Sequence, residues 1–264
     1  MVFPEVERSI YKQNPLDNVL CQLRFPPILK INTGDISAFQ DDIRSMFPEY
    51  SEQIEIINEI TLGPPNPFQQ NAINQFSRPS SNKNHLFTSA DGKWKVNLTN
   101  TFISLSTSEY TKWEVFRDKL LLAQKSFIAH YKPSYFSRIG LRYVNIFCRT
   151  GLGMPLTKSW GDLIESHYNG VFSTTSSEQL RTFKNVYEFN LEKDFCTVKT
   201  LSAFINKKDN GEQCLLIDND YSMNDKTAID NAEDILNYLN GTSTRLIRWI
   251  ISDELHKAMG PQKQ

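Results

Sequence analysis

The stretch LLIDNDYSMND, residues 215–225, carries the densest set of groups able to do chemistry. Asp218 and Asp220 stand two positions apart, so at a strand end both emerge on one side, the geometry that many carboxylate sites use for magnesium or manganese. Such an ion activates water and neutralises a phosphate ester, which makes a metal-dependent enzyme on phosphate esters or nucleic acid one reading of this segment. It is no EF-hand: counted from Asp218, position 6 is Met223 rather than glycine, and position 12 is Ile229 rather than glutamate. Aspartates also form turns and cap helices, which is the other reading ahead of NAEDIL.

A third carboxylate belongs to the same question. At helical spacing Leu246, Ile247, Ile250 and Ile251 form one stripe, and Glu254 falls in its middle. An inward carboxylate needs a partner, because burying it alone costs several kcal/mol or shifts its pKa. Arg138 and Arg142, on one face of a strand in YFSRIGLRYVNIFCR, are candidates for that role, or for a phosphate. The plainer alternative is a stripe already leaving the core near a frayed terminus.

Other signatures fail. GLGMP at 151–155 has two glycines at G-x-G spacing, but Met154-Pro155 follows where a helix would have to open. There is no G-x-S-x-G and no H-E-x-x-H, and His85, His130, His167 and His256 lie far apart, with His130 placed to cap a helix end. Cys21, Cys148, Cys196 and Cys214 are widely separated with no C-x-x-C pair, so buried reduced thiols are expected, with neither a zinc site nor a disulfide framework. No catalytic residue, metal ligand or cofactor is assigned.

Formal charge is −1 over 264 residues, with acids and bases interleaved, so nucleic acid is not indicated as a partner. A nucleic-acid face would have to gather Arg138, Arg142, Arg149, Arg181, Arg245 and Arg248 around exposed aromatics such as Tyr143 or Trp249. No run approaches the roughly 20 apolar residues that span a bilayer, and a cytoplasmic protein is the expectation.

The elements that must position these groups read as follows. Residues 19–25 alternate as a strand, and Pro26-Pro27 require it to lie at an edge, bend or end before Ile28–Ile31 resume. A short helix follows over 35–47. The proline- and asparagine-rich residues 62–85 form a long surface excursion. FTSADGKWKVNLTNTFISLST, at 87–107, predicts three antiparallel strands turning at Asp91-Gly92 and Asn100. Thr111 to Glu114 reads as a capping box, opening a helix with Trp113, Phe116, Leu120, Ala123, Phe127 and Tyr131 on one face. Strands are expected again over 138–147, 184–191, 195–205 and 213–218, then a long helix over 232–259 that Asn240-Gly241 can interrupt. SEYT at 108–111 and NDYS at 219–222 both precede a long helix, which suggests a duplicated module over 1–150 and 151–264, or else one continuous domain. Either way the class is α+β, antiparallel meanders packed against amphipathic helices.

With NPLDNVLCQLRFPPILKI, DGKWKVNLTNTFISLSTSEYTKWEVF, RIGLRYVNIF, DNDYS and RLIRWIISDELHKAMGP laid out in this order, the chain resembles a sporadically distributed family of prokaryotic proteins of unknown function. The resemblance covers nearly the whole chain and implies scattered inheritance, often with mobile elements and sometimes near defence genes. It carries no catalytic residue. The leading expectation is a binding or interaction protein that recognises a protein partner or a small ligand through its sheet face or the 62–85 loop. The alternatives are the metal-dependent enzyme, and an antitoxin or effector subunit of a defence system.

Overall fold

The computed structural model describes residues 2–56, 79–174 and 179–263. Most of the 62–85 excursion lies outside them. Among the described residues, nine strands form one antiparallel sheet. β2 (Leu16–Arg24) and β7 (Arg138–Phe147) pair at its centre, Cys21 opposite Leu141. Outward from β2 run β6 (Phe102–Thr107), β5 (Trp94–Leu98), β4 (Pro79–Thr88) and β3 (Glu49–Ile56). Outward from β7 run β10 (Gln213–Met223), β9 (Cys196–Asn206) and β8 (Lys184–Asn190). A four-stranded meander thus lies beside β2 and a three-stranded one beside β7. β1 (Ser9–Tyr11) pairs apart from this sheet with β11 (Pro261–Lys263).

Alternation in the central strands buries one face. Val19, Cys21 and Leu23, with Ile139 and Leu141, and Ile217 and Tyr221, are all sealed from solvent. Two long helices cover that face. α3 (Trp113–Tyr131) buries all six residues of its predicted stripe, each large side chain contributing about 1.5–3 kcal/mol of transfer free energy. α5 (Ala232–Ile250) buries Ile235, Leu236, Leu239, Leu246 and Ile250, and its Asn237 accepts a 2.8 Å hydrogen bond from Trp113 Nε1. Of two short helices, α2 (Ser37–Ile43) packs on α3 and α1 (Lys30–Thr33) on β4, and α4 (Trp160–Leu163) and α6 (Asp253–Ala258) complete the second half.

Several local expectations change. β2 ends at Arg24 before the proline pair, and Ile28–Ile31 do not resume it: the chain turns into α1, with Ile28 N bonded to Asn100 O at 2.8 Å. No capping box forms, because Lys112 is the N-cap and Glu114 turns to Arg8 instead. β10 continues to Met223, five residues past its expected end, since burial keeps alternating through Asn219, Tyr221 and Met223. α5 passes straight through Asn240-Gly241 and stops at Ile251, after which Ser252 caps α6 by accepting from Leu255 N at 3.2 Å. The cysteines are corrected too. Cys148 and Cys214, at adjoining ends of β7 and β10, stand 4.6 Å apart at Cα and form a disulfide, while Cys21 and Cys196 are free and buried. Sequence separation of 66 residues hid the pair, because only the strand register brings them opposite one another.

Candidate functional site

The sequence-derived candidates fall into two separate places. Arg138, Arg142, Asp218 and Asp220 share the sheet face away from the long helices and spend their charges on one another. Arg142 grips Asp218 through Nε at 2.8 Å and Nη2 at 2.5 Å, and Arg138 Nη2 reaches both oxygens of Asp220 at 3.0 and 2.9 Å. The two aspartates stand mid-strand, each neutralised by an arginine of the neighbouring strand. Glu254 is on the surface of α6, half exposed and paired with Lys158 at 2.8 Å, so it is neither inward nor a partner of Arg138 or Arg142. The four histidines are equally dispersed, bonded to Tyr50 and Ile31, to Asp42, to Trp249 and to Tyr11. Tyr143, expected as an exposed aromatic, is buried.

Polar groups converge on the opposite face, beneath α5. There β7 presents Tyr143 and Asn145, and β10 presents Asn219 and Tyr221, all at positions where strand alternation points inward. α5 closes the space from above with the polar Asn240, Ser243 and Thr244 and the apolar Ile247, at helical spacing. Arg8 to Tyr11 and Asn14 to Leu16 form one wall, and Tyr110 to Lys112 another. The space between them, partly open to solvent, measures about 100 Å³.

Its hydrogen bonding is half complete. Tyr143 OH donates to Asn240 Oδ1 at 2.9 Å, and Asn145 Nδ2 donates to Ile217 O at 3.4 Å. Asn14 Nδ2 ties the N-terminal wall to Tyr110 O at 3.0 Å. Asn219 Oδ1 and Tyr221 OH, both almost fully buried, have no partner. Tyr143 lies between the rings of Tyr110 and Tyr221, edge to face at 5.8 and 6.3 Å.

The tyrosines and asparagines of the lining are uncharged at neutral pH, and its two cationic residues are Arg8 and Lys112. Burial pushes the phenols of Tyr143 and Tyr221 well above their ordinary range, and those of Tyr11 and Tyr110 to about 12, so all four stay protonated. Arg8 is neutralised by Glu114 through two hydrogen bonds at 2.5 and 3.0 Å, which lower the Glu114 carboxyl to about 2. Groups that hold their protonation state across the neutral range do not suit acid–base catalysis. They do suit recognition of a polar, uncharged surface.

Sequence reading missed this site. In sequence SEYT and NDYS read as marks of repetition, yet their tyrosines, Tyr110 and Tyr221, both line the cavity. Tyrosine and asparagine at inward strand positions were the available signal. No family model matches the chain, and no curated protein matches its sequence. Among the described residues, no helix is long and apolar enough to cross a membrane.

Proposed function

We propose that this protein is a non-catalytic binding module whose cavity beneath α5 takes a small neutral molecule bearing hydroxyl or amide groups. One observation carries the reading: Asn219 Oδ1 and Tyr221 OH are buried without partners in the wall of the same cavity. Each such group costs about 1–3 kcal/mol of desolvation, and a ligand that bonds both recovers it. The space of about 100 Å³ exceeds the roughly 10–15 Å³ that one water needs on the same measure. Beside Tyr143, Asn145, Asn219 and Tyr221 a charged ligand would meet only phenols and amides, at a cost of several kcal/mol, Arg8 and Lys112 being the cationic residues of the lining. The family resemblance, the cytoplasmic location and the link to mobile elements or defence genes belong to the same proposal.

The Arg138–Asp220 and Arg142–Asp218 pairs support binding over metal chemistry, because the charge of each aspartate is already met by an arginine. Thermal unfolding in graded acetamide, glycerol and acetate tests the reading, with Asn219→Leu as the control. The two neutral compounds are expected to raise the midpoint of the parent protein and leave that of the variant unchanged, with acetate inert on both. Equal shifts in parent and variant would reduce the effect to one of bulk solvent and remove the site.

A further inference from the structure

A second cluster lies at the other end of β7 and β10, and it is independent of the cavity. Cys148 and Cys214 face each other there, and the residue two before Cys214 is Glu212, whose side chain is only 2% exposed. One ligand atom from each of the three residues falls within 4.8 Å of the other two. A carboxylate is an unusual thing to bury beside a disulfide. Its charge is met by Thr150, whose backbone N–H donates at 3.0 Å and whose hydroxyl also donates to it, with Lys207 Nζ at 3.9 Å.

The neighbouring guanidinium acts on it through space, without a hydrogen bond. Arg149 is buried, but its guanidinium lies over the Trp160 ring at 4.2 Å, with Nε donating to Lys158 O at 2.7 Å. Glu212 keeps lone pairs to spare, since a carboxylate offers about four acceptor positions. It also lines a solvent-open cleft of about 700 Å³ together with Thr150, Lys158 and Trp160.

We propose that Cys148, Cys214 and Glu212 form a redox-gated site for a thiophilic divalent cation such as Zn²⁺. In the oxidised form the two sulfurs are bonded to each other and cannot chelate. A dithiol reductant opens the gate: the S–S bond breaks, two Cys S–H bonds form, and the dithiol gives up two electrons and two protons as it closes to its own disulfide. The cation then displaces both thiol protons to solvent. It is held by two thiolates and one carboxylate oxygen, with thiolate bonds of about 2.3 Å. Two soft sulfurs with one oxygen favour zinc over magnesium or calcium, and three protein ligands leave a fourth position for water. Arg149 and Lys207 offset the charge that remains.

Cobalt(II) reports the outcome directly, because thiolate ligation gives a sulfur-to-metal charge-transfer band in the ultraviolet. The full chain, reduced with dithiothreitol and desalted without oxygen, is expected to take up one equivalent of cobalt with that band. The disulfide form should take up none, and reoxidation should release the metal. Cys148→Ser and Cys214→Ser should lose the band, and Glu212→Gln should shift the titration to higher cobalt while keeping it. The oxidised and reduced forms of the unsubstituted protein make the comparison without relying on any variant to fold. No band in the reduced protein would overturn the proposal, as would a band that survives in the double serine variant or a titration that Glu212→Gln leaves in place.

Discussion

Asn219 stands opposite Tyr143 in the β10–β7 ladder, yet only the tyrosine has a partner for its polar end: Tyr143 OH reaches Asn240 Oδ1 at 2.9 Å, while Asn219 Oδ1 has none. Two side chains on one rung therefore play different parts. Tyr143 locks the helix to the sheet, and Asn219 is left to meet something else.

That asymmetry predicts opposite results for two matched substitutions. Tyr143→Phe strands Asn240 Oδ1 and should cost about 1–3 kcal/mol. Tyr221→Phe removes a hydroxyl with no partner and should leave stability unchanged or slightly higher, because its desolvation cost disappears. Urea unfolding of the two variants checks the sign of the difference.

Asp218→Asn and Asp220→Asn break cross-strand ion pairs on a face open to solvent. Each should lower stability by less than about 1 kcal/mol, an effect that weakens further in high salt. Calorimetric titration with magnesium or manganese should be equally silent before and after substitution.

Glu114 gives a pH dependence of known sign. Its carboxyl is lowered from 4.5 to about 2, chiefly by the hydrogen bonds from Arg8. A depressed carboxyl stabilises the fold above its unfolded value, and that contribution is lost as pH falls from about 4.5 toward about 2. The pair is partly exposed, with side-chain accessibilities of 33% and 40%, so solvent screening limits the loss to about 1 kcal/mol. Urea midpoints across that window should fall less steeply in Glu114→Gln than in the parent.

Ser252 holds the junction between α5 and α6 twice over, accepting from Leu255 N at 3.2 Å and donating to Asp162 O at 2.7 Å. Ser252→Ala removes both bonds and should cost about 0.5–2 kcal/mol. Faster amide exchange at Leu255 would locate the loss at the cap.

The sequence made the fold legible where side-chain period and burial agree, as in the α3 stripe from Trp113 to Tyr131, all of it buried. It misled where residue type and burial part company. Asp218 and Asp220 read as a strand end because aspartate favours turns, but they alternate with buried Ile217, Asn219 and Tyr221, which hold the strand together. β3, with Glu49, Glu52 and Glu55 among eight residues, gave no strand signal because an edge strand needs little apolar content. The site was hidden for a different reason. Its residues come from 8–16, 110–112, 143–145, 219–221, 240–247 and Met259, and only the β2–β7–β10 order and the return of α5 across it bring them together.

Side-chain amide NMR of Asn219 during titration with acetamide tests the central claim most directly. The account predicts a saturable shift of the Asn219 side-chain amide, accompanied by the Tyr221 ring signals, with acetate leaving both in place. A titration in which neither moves with acetamide or with glycerol, while the cavity exchanges only water, would contradict it.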